Sequence, residues 1–174
     1  MTTINAVNTT LSGQSGTGAF AGTISPSFVS PTLGVSSATS INFGGTSLAN
    51  YQEGTWTPAY VGSGGGSATY STQVGSYTRI GNRVFFESDL ILTGSTLSGN
   101  ITISGLPFLP AILAAASIVC EGFTATATTA IQVLINTSGS TLGIYVFSAG
   151  TTTPLTGTQL STTSQTFISG CYHV

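Results

Sequence analysis

After residue 50, apolar and polar side chains alternate along most of the chain, and this period of two predicts β-strands. The clearest strand covers 83–93, where four apolar side chains fall on one face and Glu87 and Asp89 on the other. Further strands are predicted at 55–61, 68–72, 76–80, 101–103, 117–124, 131–136, 142–147 and 166–172. Turn residues separate them at roughly the 8–12-residue spacing of a sandwich. The pattern therefore predicts an all-β fold for 50–174, an antiparallel β-sandwich of the jelly-roll type.

Glycine and proline mark the connections between these strands. Pro58 lies inside the first strand and predicts an edge position or a bulge there. The run GSGGGS at 62–67 is expected to be a mobile loop, whereas Gly81 and Asn82 predict a tight turn, because both tolerate positive φ. Residues 109–116 could hold one helical turn, but no ten-residue stretch after position 50 has the pattern of an amphipathic helix.

Several strands are apolar on both faces. The stretch 140–148 places three aliphatic side chains on one side and Tyr145 and Phe147 on the other. Such strands in a small antiparallel domain need a second surface to cover the outer face. A partner subunit is the most economical cover, so we expect the chain to form oligomers.

The first 49 residues have a different character, with no charged residue, tyrosine or tryptophan. Two prolines frame Phe28 and Val29, and proline favours extended chain and turns over helix. Such a segment cannot bury Phe28, Val29 and Leu33 against itself, whereas three copies wound around one axis could. We therefore expect an extended N-terminal trimeric shaft and attachment segment at 1–49 and a head at 50–174; a flexible linker is the alternative.

Charge is scarce, at 3% of residues against a typical ~25%. The net charge of −2 and the absence of Lys/Arg clusters argue against binding to nucleic acid or to an anionic membrane. The longest apolar run, 106–120, is too short for a spanning helix and contains two prolines, so no membrane insertion is expected. The N-terminus lacks the features of a secretory signal, so Cys120 and Cys171 are expected to be free buried thiols, with a bridge as the alternative.

Catalytic chemistry is poorly represented. The only histidine, His173, is the penultimate residue, and a chain end is a poor anchor for a catalytic base. Glu87 and Asp89 share a strand face, which is more typical of a solvated face than of a glycosidase pair. No zinc spacing or nucleotide-binding motif is present. We expect no enzyme activity, no cofactor and no metal, although three copies of His173 or Glu121 could hold an ion on a symmetry axis.

Three stretches carry a family resemblance: L-x-x-Y-x-E-G-T-W-T-P at 48–58, Y-S-T-Q-x-G-x-Y-T-R-I-G-N-R-V-F-F at 70–86, and G-L-P-F at 105–108. Together they resemble the opening of the distal domain of tail-fibre and receptor-binding proteins of tailed bacteriophages and prophages. In addition, 16–34 is similar to the G-T-x-x-F-x-G-x-x-S-P-x-x-V-x-P-x-L-G units of phage fibre shafts. The resemblance covers about 16–108. Beyond 108 it is limited to a general pattern of short apolar strands between turns rich in Thr, Ser and Gly.

The resemblance implies a virion protein assembled in the host cytoplasm. It implies a homotrimer that attaches to a baseplate or tail protein through its N-terminus. The distal β-sandwich would bind a host surface glycan or an outer-membrane receptor for adsorption. A purely structural virion or baseplate component without receptor binding is the alternative.

Loops on a rigid sheet scaffold are the expected place for receptor contacts. Their hydroxyl and amide groups suit neutral saccharides, and the residues predicted to contact the receptor are Asn136, Ser138, Tyr145, Thr151 and Thr152.

The charged residues in and next to the stretches 48–58 and 70–86 are expected to have a structural role. The residues predicted to pair with one another, or to pin a subunit contact, are Glu53, Arg79, Arg83, Glu87 and Asp89. A grip of the arginines on an anionic sugar is the alternative. Trp56 and the tyrosines are expected in the core or an interface rather than stacked on sugars.

Overall fold

The computed structural model describes residues 41–43, 46–48, 50–124 and 130–174. The predicted shaft unit at 16–34 lies outside these residues. The strands are β1 (Ile41–Phe43), β2 (Thr46–Leu48), β3 (Gln52–Trp56), β4 (Ala59–Gly62), β5 (Ala68–Ile80), β6 (Arg83–Ser95), β7 (Ile101–Ser104), β8 (Ala114–Phe123), β9 (Ala130–Ile135), β10 (Thr141–Ser148), β11 (Thr151–Pro154) and β12 (Leu160–His173).

Strands dominate the described part of the chain, which contains no α-helix and one short 3-10 helix at Gly157–Gln159. No helix within it is long and apolar enough to cross a membrane. β1 and β2 form a two-stranded antiparallel hairpin. The other ten strands form one antiparallel sheet in the order β3-β5-β6-β12-β8-β9-β10-β7-β4, with β11 also pairing with β10. The prediction of an all-β antiparallel fold is therefore confirmed, and the sheet curls into a half-barrel.

The two ends of the sheet come together because β3 and β4 lie at opposite ends of the strand order yet are joined only by Thr57 and Pro58. The predicted strand 55–61 is thus two strands that break at Pro58. Side chains of β5 bridge the gap to β4: the Tyr60 backbone N–H donates to the Tyr70 hydroxyl at 2.8 Å, and Gln73 Nε2 donates to the Pro58 carbonyl at 2.9 Å. We call this junction the seam.

The core lies inside the curl, and the sheet face that lines it is the inner face. Its central members come from β6 and β12 on one side and from β7, β9 and β10 on the other, and they include Val84, Leu90, Leu92, Ile101, Ile103, Ile135, Leu142, Ile144, Ile168 and Tyr172. The alternation predicted for β6 is confirmed, because Val84, Phe86, Leu90 and Leu92 are all buried. The opposite side of each strand forms the outer face.

Three local features differ from the sequence-based expectation. Residues 68–80 form one strand rather than two, and 109–113 is irregular while Ala114–Ala116 opens β8. The run 62–67 is tied down by backbone hydrogen bonds to 96–100, including Ser63 N to Asn100 O and Gly64 N to Ser98 O, both 2.9 Å. In a mobile loop the backbone N–H and C=O groups would bond to water, whereas here they bond to the backbone of a second loop.

Cys120 and Cys171 are both free. Cys120 pairs in register with buried Thr166 and so lies on the inner face, whereas exposed Cys171 pairs with exposed Phe85 on the outer face. Side chains on opposite faces of a sheet cannot bridge within one chain. The expectation of free thiols holds, but only Cys120 is substantially covered.

Candidate functional site

The outer face of the strands β5, β6, β12 and β8 carries a groove of about 430 Å³, which we call the outer groove. Strand register builds it in rows that cross all four strands. One row consists of Val74, Asp89, Phe167 and Val119, which are successive register partners. Its three apolar side chains are exposed, although apolar groups usually avoid water.

The neighbouring row of the outer groove is polar. It consists of Ser76, Glu87, Ser169 and Ser117, again in direct register. The Ser76 hydroxyl donates to a Glu87 carboxylate oxygen at 2.9 Å. Hydroxyl and carboxylate groups thus lie beside an apolar row on one surface.

Asp89 occupies an unusual position within this groove. Its Oδ1 atom is buried and has no hydrogen-bond partner, while its direct cross-strand neighbours are Val74 and Phe167. A buried polar atom without a partner is costly and rare in folded proteins. One oxygen of the Asp89 carboxylate is thus covered by the chain's own atoms without a hydrogen-bond donor among the described residues.

A second depression, of about 710 Å³, opens where β8 and β9 separate. Their pairing ends at Ala116 and Val133, and the strands diverge beyond that point. We call the opening the divergence cleft; its lining includes Ile118, Ile131, Gln132, Leu134, Tyr145 and Thr152. Ser117 and Ile118 line both depressions, so the cleft and the outer groove adjoin across β8.

The structure brings together only some of the predicted receptor residues. Tyr145 and Thr152 both line the divergence cleft, and Thr151 is adjacent, at the turn between β10 and β11. The turn carrying Asn136 and Ser138 lies at the opposite end of β10, about 23 Å away at ~3.3 Å per residue. The side-chain amide of Asn136 is already hydrogen-bonded within this turn, since its Nδ2 donates to the Thr141 hydroxyl at 3.3 Å.

Arg79 lies on the inner side of the sheet. It pairs in register with buried Val84, its Nε donates to the Gly81 carbonyl at 2.9 Å, and its guanidinium lies 4.9 Å from the centre of the Phe108 ring. This geometry is a cation–π contact. Arg79 therefore supports the end of the core and the turn after β5.

The predicted carboxylate partners of Arg79 lie on the other side of the sheet. Glu53 pairs with Thr78, next to Arg79, and strand alternation turns these neighbours to opposite faces. Glu87 and Asp89 line the outer groove. Within one chain, Arg79 is thus separated from all three, while Arg83 shares the outer face with them. The predicted subunit contact through these charges stays a prediction.

Trp56, Tyr60 and Tyr172 are structural. Trp56 is buried, its indole N–H donates to the Glu87 carbonyl at 3.2 Å, and its ring covers Gly75, where a Cβ would collide with it. Tyr60 hydrogen-bonds to the buried Thr166 hydroxyl, and burial raises the pKa of Tyr60. Burial likewise raises the pKa of Tyr172 to about 12. These residues stabilise the core and its seam.

The described residues include the acidic, cysteine and histidine side chains that metal or acid–base chemistry would use. They contain no group of three or more His, Cys, Asp or Glu side chains placed to hold a metal ion. His173 Nε2 is hydrogen-bonded to Asn82 Nδ2 at 2.7 Å. The expectations of no cofactor and no catalysis stay predictions.

Sequence reasoning missed the outer groove and the divergence cleft. The pattern correctly placed Glu87 and Asp89 on one face, but Phe167 and Val119 are distant in sequence and carry no local signal of their proximity. The cleft depends on where the pairing of β8 and β9 stops, which alternation does not encode. Only the strand order of the folded sheet assembles these surfaces.

No protein-family model matches the chain, and no curated protein matches it. Among solved structures, the crystal structure of the Dettilon tailspike protein is similar, with a TM-score of 0.63 and 20% sequence identity. The match covers 71% of this chain and 24% of the tailspike chain, so this chain spans about a quarter of that protein's length. At this level of identity the similarity shows the fold.

Proposed function

We propose that this chain is a phage tail adhesin, a homotrimeric virion component that binds a host cell-surface receptor for adsorption. The fold similarity to a tailspike supports a tail-associated role. The sequence resemblance to tail-fibre proteins, which rests on primary structure, supports the same role. The N-terminal segment would attach to a baseplate or tail protein.

The divergence cleft is the observation that carries the receptor-binding part of the proposal. It combines the aromatic ring of Tyr145 with the amide of Gln132 and the hydroxyls of Ser117 and Thr152. An apolar depression with a few polar groups at its rim is typical of ligand sites. An aromatic face beside amide and hydroxyl groups suits a sugar ring with its hydroxyls, so we propose a glycan as the receptor.

The cleft is held by rigid elements. Tyr145 lies on β10, between its register partners Gln132 on β9 and Pro154 on β11, and its ring packs over Gly143. A Cβ at Gly143 would lie 2.7 Å from that ring, so glycine is required for this placement. A pre-positioned aromatic side chain loses little conformational entropy on binding, which favours affinity.

The test is binding of the labelled, purified protein to intact cells of a panel of bacterial strains and to an array of neutral and acidic glycans. Tyr145→Ala and Thr152→Ala should each weaken binding to a responsive strain, by about ten-fold or more for Tyr145. Thr153→Ala is the matched control, because Thr153 is exposed on β11 without lining the cleft. Fluorescence of Trp56, the only tryptophan, reports whether each variant is folded.

Binding that the Tyr145 and Thr152 variants leave unchanged would reject the cleft. A trimeric wild-type protein that binds no strain and no glycan would instead favour the purely structural virion component.

A further inference from the structure

The divergence cleft is apolar at one end. Where β8 and β9 are still paired, Ala115 on β8 is the register partner of Leu134 on β9, and Leu134 is the partner of Gly143 on β10. The ring of Tyr145, two residues along β10, lies over Gly143. Register partners share a face of the sheet, so Ala115, Leu134 and this ring form one apolar end of the cleft, which we call the closed end.

One row further along the strands, the same face becomes polar. Ser117 follows Ala115 by two residues, and Gln132 precedes Leu134 by two residues and is the register partner of Tyr145. The side chains of Ser117 and Gln132 are both exposed. Two residues of a strand span ~6.8 Å, so a hydroxyl and an amide lie roughly one sugar ring away from the closed end. A single bound sugar can therefore contact the apolar row and the polar row together.

The charge around the cleft favours a neutral ligand. The residues that line it, all within the described part of the chain, include no charged side chain. By register, the carboxylate-bearing Glu87 lies two strands from Ser117 in the row Glu87, Ser169, Ser117, which is about 10 Å at ~4.8 Å between strands. A carboxylate repels an anionic sugar, and the lining supplies no cation to hold one.

The closed end is an unfavourable place for a hydroxyl. The side chains of Ala115 and Leu134 can neither donate nor accept a hydrogen bond, and a hydroxyl that leaves water without gaining a partner is costly to bury. A methyl group in the same place is stabilised, because its apolar surface leaves water. An unmodified hexose carries a hydroxyl on nearly every carbon. The closed end therefore favours a sugar that presents a methyl group in place of one of them.

We propose that the receptor sugar in the divergence cleft is neutral and carries a methyl group, which packs at the closed end while ring hydroxyls bond to Gln132 and Ser117. The inference rests on the proposed function and names the class of ligand for its site. Two kinds of neutral sugar supply such a methyl: a 6-deoxyhexose at C6, and an N-acetylhexosamine at its acetamido group. The Gln132 amide both donates and accepts, so it can bond to the polar groups of either kind.

The test is ligand-observed NMR of the full chain with pairs of sugars that differ in the methyl-bearing group: L-fucose with L-galactose, L-rhamnose with L-mannose, N-acetylglucosamine with glucose, and N-acetylgalactosamine with galactose. Glucuronic acid is the anionic probe. In at least one pair the methyl-bearing sugar should bind about ten-fold more tightly than its partner. Saturation transfer from the protein should be strongest at the methyl protons, and the pair that responds identifies the kind of sugar.

Variants of the two rows separate their roles. Leu134→Asn makes the closed end polar at nearly constant size, so the affinity for the methyl-bearing sugar should fall about ten-fold, to that of its partner. Gln132→Leu should instead weaken both members of the pair, because both use its hydrogen bonds. Val119→Asn is the matched control, since Val119 is 60% exposed on the same face of β8 but lines the outer groove and not the cleft. Ala115→Ser is a milder variant should Trp56 emission show that Leu134→Asn fails to fold.

The outcomes distinguish this inference from the proposed function. Equal affinity within every pair would overturn the methyl-bearing ligand and leave a glycan receptor in place. Tighter binding of glucuronic acid than of every neutral sugar would overturn the neutral ligand. A preference for methyl that Leu134→Asn and Ala115→Ser both leave unchanged would overturn the closed end as its place. Binding of no sugar in the panel would overturn this inference, whereas the glycan receptor itself is decided by the cell panel and the glycan array.

Discussion

At the scale of single residues, the seam depends on side chains where a β-ladder would normally supply backbone bonds. β3 pairs with only the last part of β5, so the Tyr70–Gln73 part of β5 faces β4 instead. The Tyr70 hydroxyl then serves as the acceptor that a strand carbonyl would provide, and the ring stacks on Tyr60 at a centroid distance of 6.4 Å. The closure of the sheet therefore rests on specific residues.

Tyr70→Phe should destabilise the fold by roughly 1–2 kcal/mol, because the partly buried Tyr60 N–H loses its acceptor while the stacked ring is kept. The free energy of unfolding from urea titration of Trp56 fluorescence measures this. Tyr51→Phe is the matched control, since Tyr51 is 56% exposed and its hydroxyl donates to Glu53, two residues along the same edge of the sheet. Equal stability of the two variants would show that the Tyr70 bond does not hold the seam.

At the scale of elements, the two loops at 62–67 and 96–100 behave as one unit. Backbone bonds link them in both directions, including Ser98 N to Gly65 O at 2.9 Å and Thr96 N to Ser67 O at 2.8 Å. The glycines permit the close approach: Gly66 has φ +101° and a Cβ there would collide with the Thr96 carbonyl. Glycine is thus required here for the close packing of the two loops, and its presence does not indicate a flexible backbone.

The amides of Ser63, Gly64, Thr96 and Ser98 should therefore exchange slowly with solvent deuterium, because each donates to a backbone carbonyl. Native-state hydrogen exchange followed by NMR measures the protection of each amide. The amide of Ser138, in an exposed turn, is the internal reference for fast exchange. If the four amides exchange as fast as the amide of Ser138, the loop at 62–67 is mobile, as its glycine content predicts.

The strands were predictable from sequence, but their neighbours were not. Alternation in 83–93 identified both faces of β6, because a strand's own residues set its faces. The partner of β6 on one side is β12, more than 70 residues away, and no local pattern marks this pairing. For the same reason Arg79 could be expected to meet Glu87. In the folded sheet Glu87 pairs with Ser76, three positions from Arg79, and this odd offset puts the two side chains on opposite faces.

At the scale of the whole molecule, the one curled sheet has two unlike faces. The inner face holds the core, and the outer face leaves apolar side chains such as Val74, Val119 and Phe167 exposed within the described chain. With 3% charged residues, the chain has little charge to keep such a surface soluble alone. The oligomer predicted from the sequence would account for both the sparse charge and the exposed apolar side chains.

The core also predicts how stability depends on pH. Burial raises the pKa of Tyr60, Tyr70 and Tyr172, the last to about 12, and that of the Cys120 thiol from 9.0 to about 12. The folded chain therefore keeps protons that the unfolded chain releases from about pH 9 upward. The free energy of unfolding should be unaffected by these groups below that pH and should fall steadily as the pH rises toward 12.

Urea unfolding followed by Trp56 fluorescence at pH 7.5, 9, 10 and 11 measures this decline. Tyr172→Phe combined with Cys120→Ser removes two of the groups, so this variant should start less stable but lose less stability with rising pH. Tyr51→Phe should follow the wild-type slope, because Tyr51 is exposed. A free energy of unfolding that stays level up to pH 11 would mean that these groups titrate alike in the folded and unfolded chain. An equal decline with pH in the wild type and the double variant would mean this for Tyr172 and Cys120.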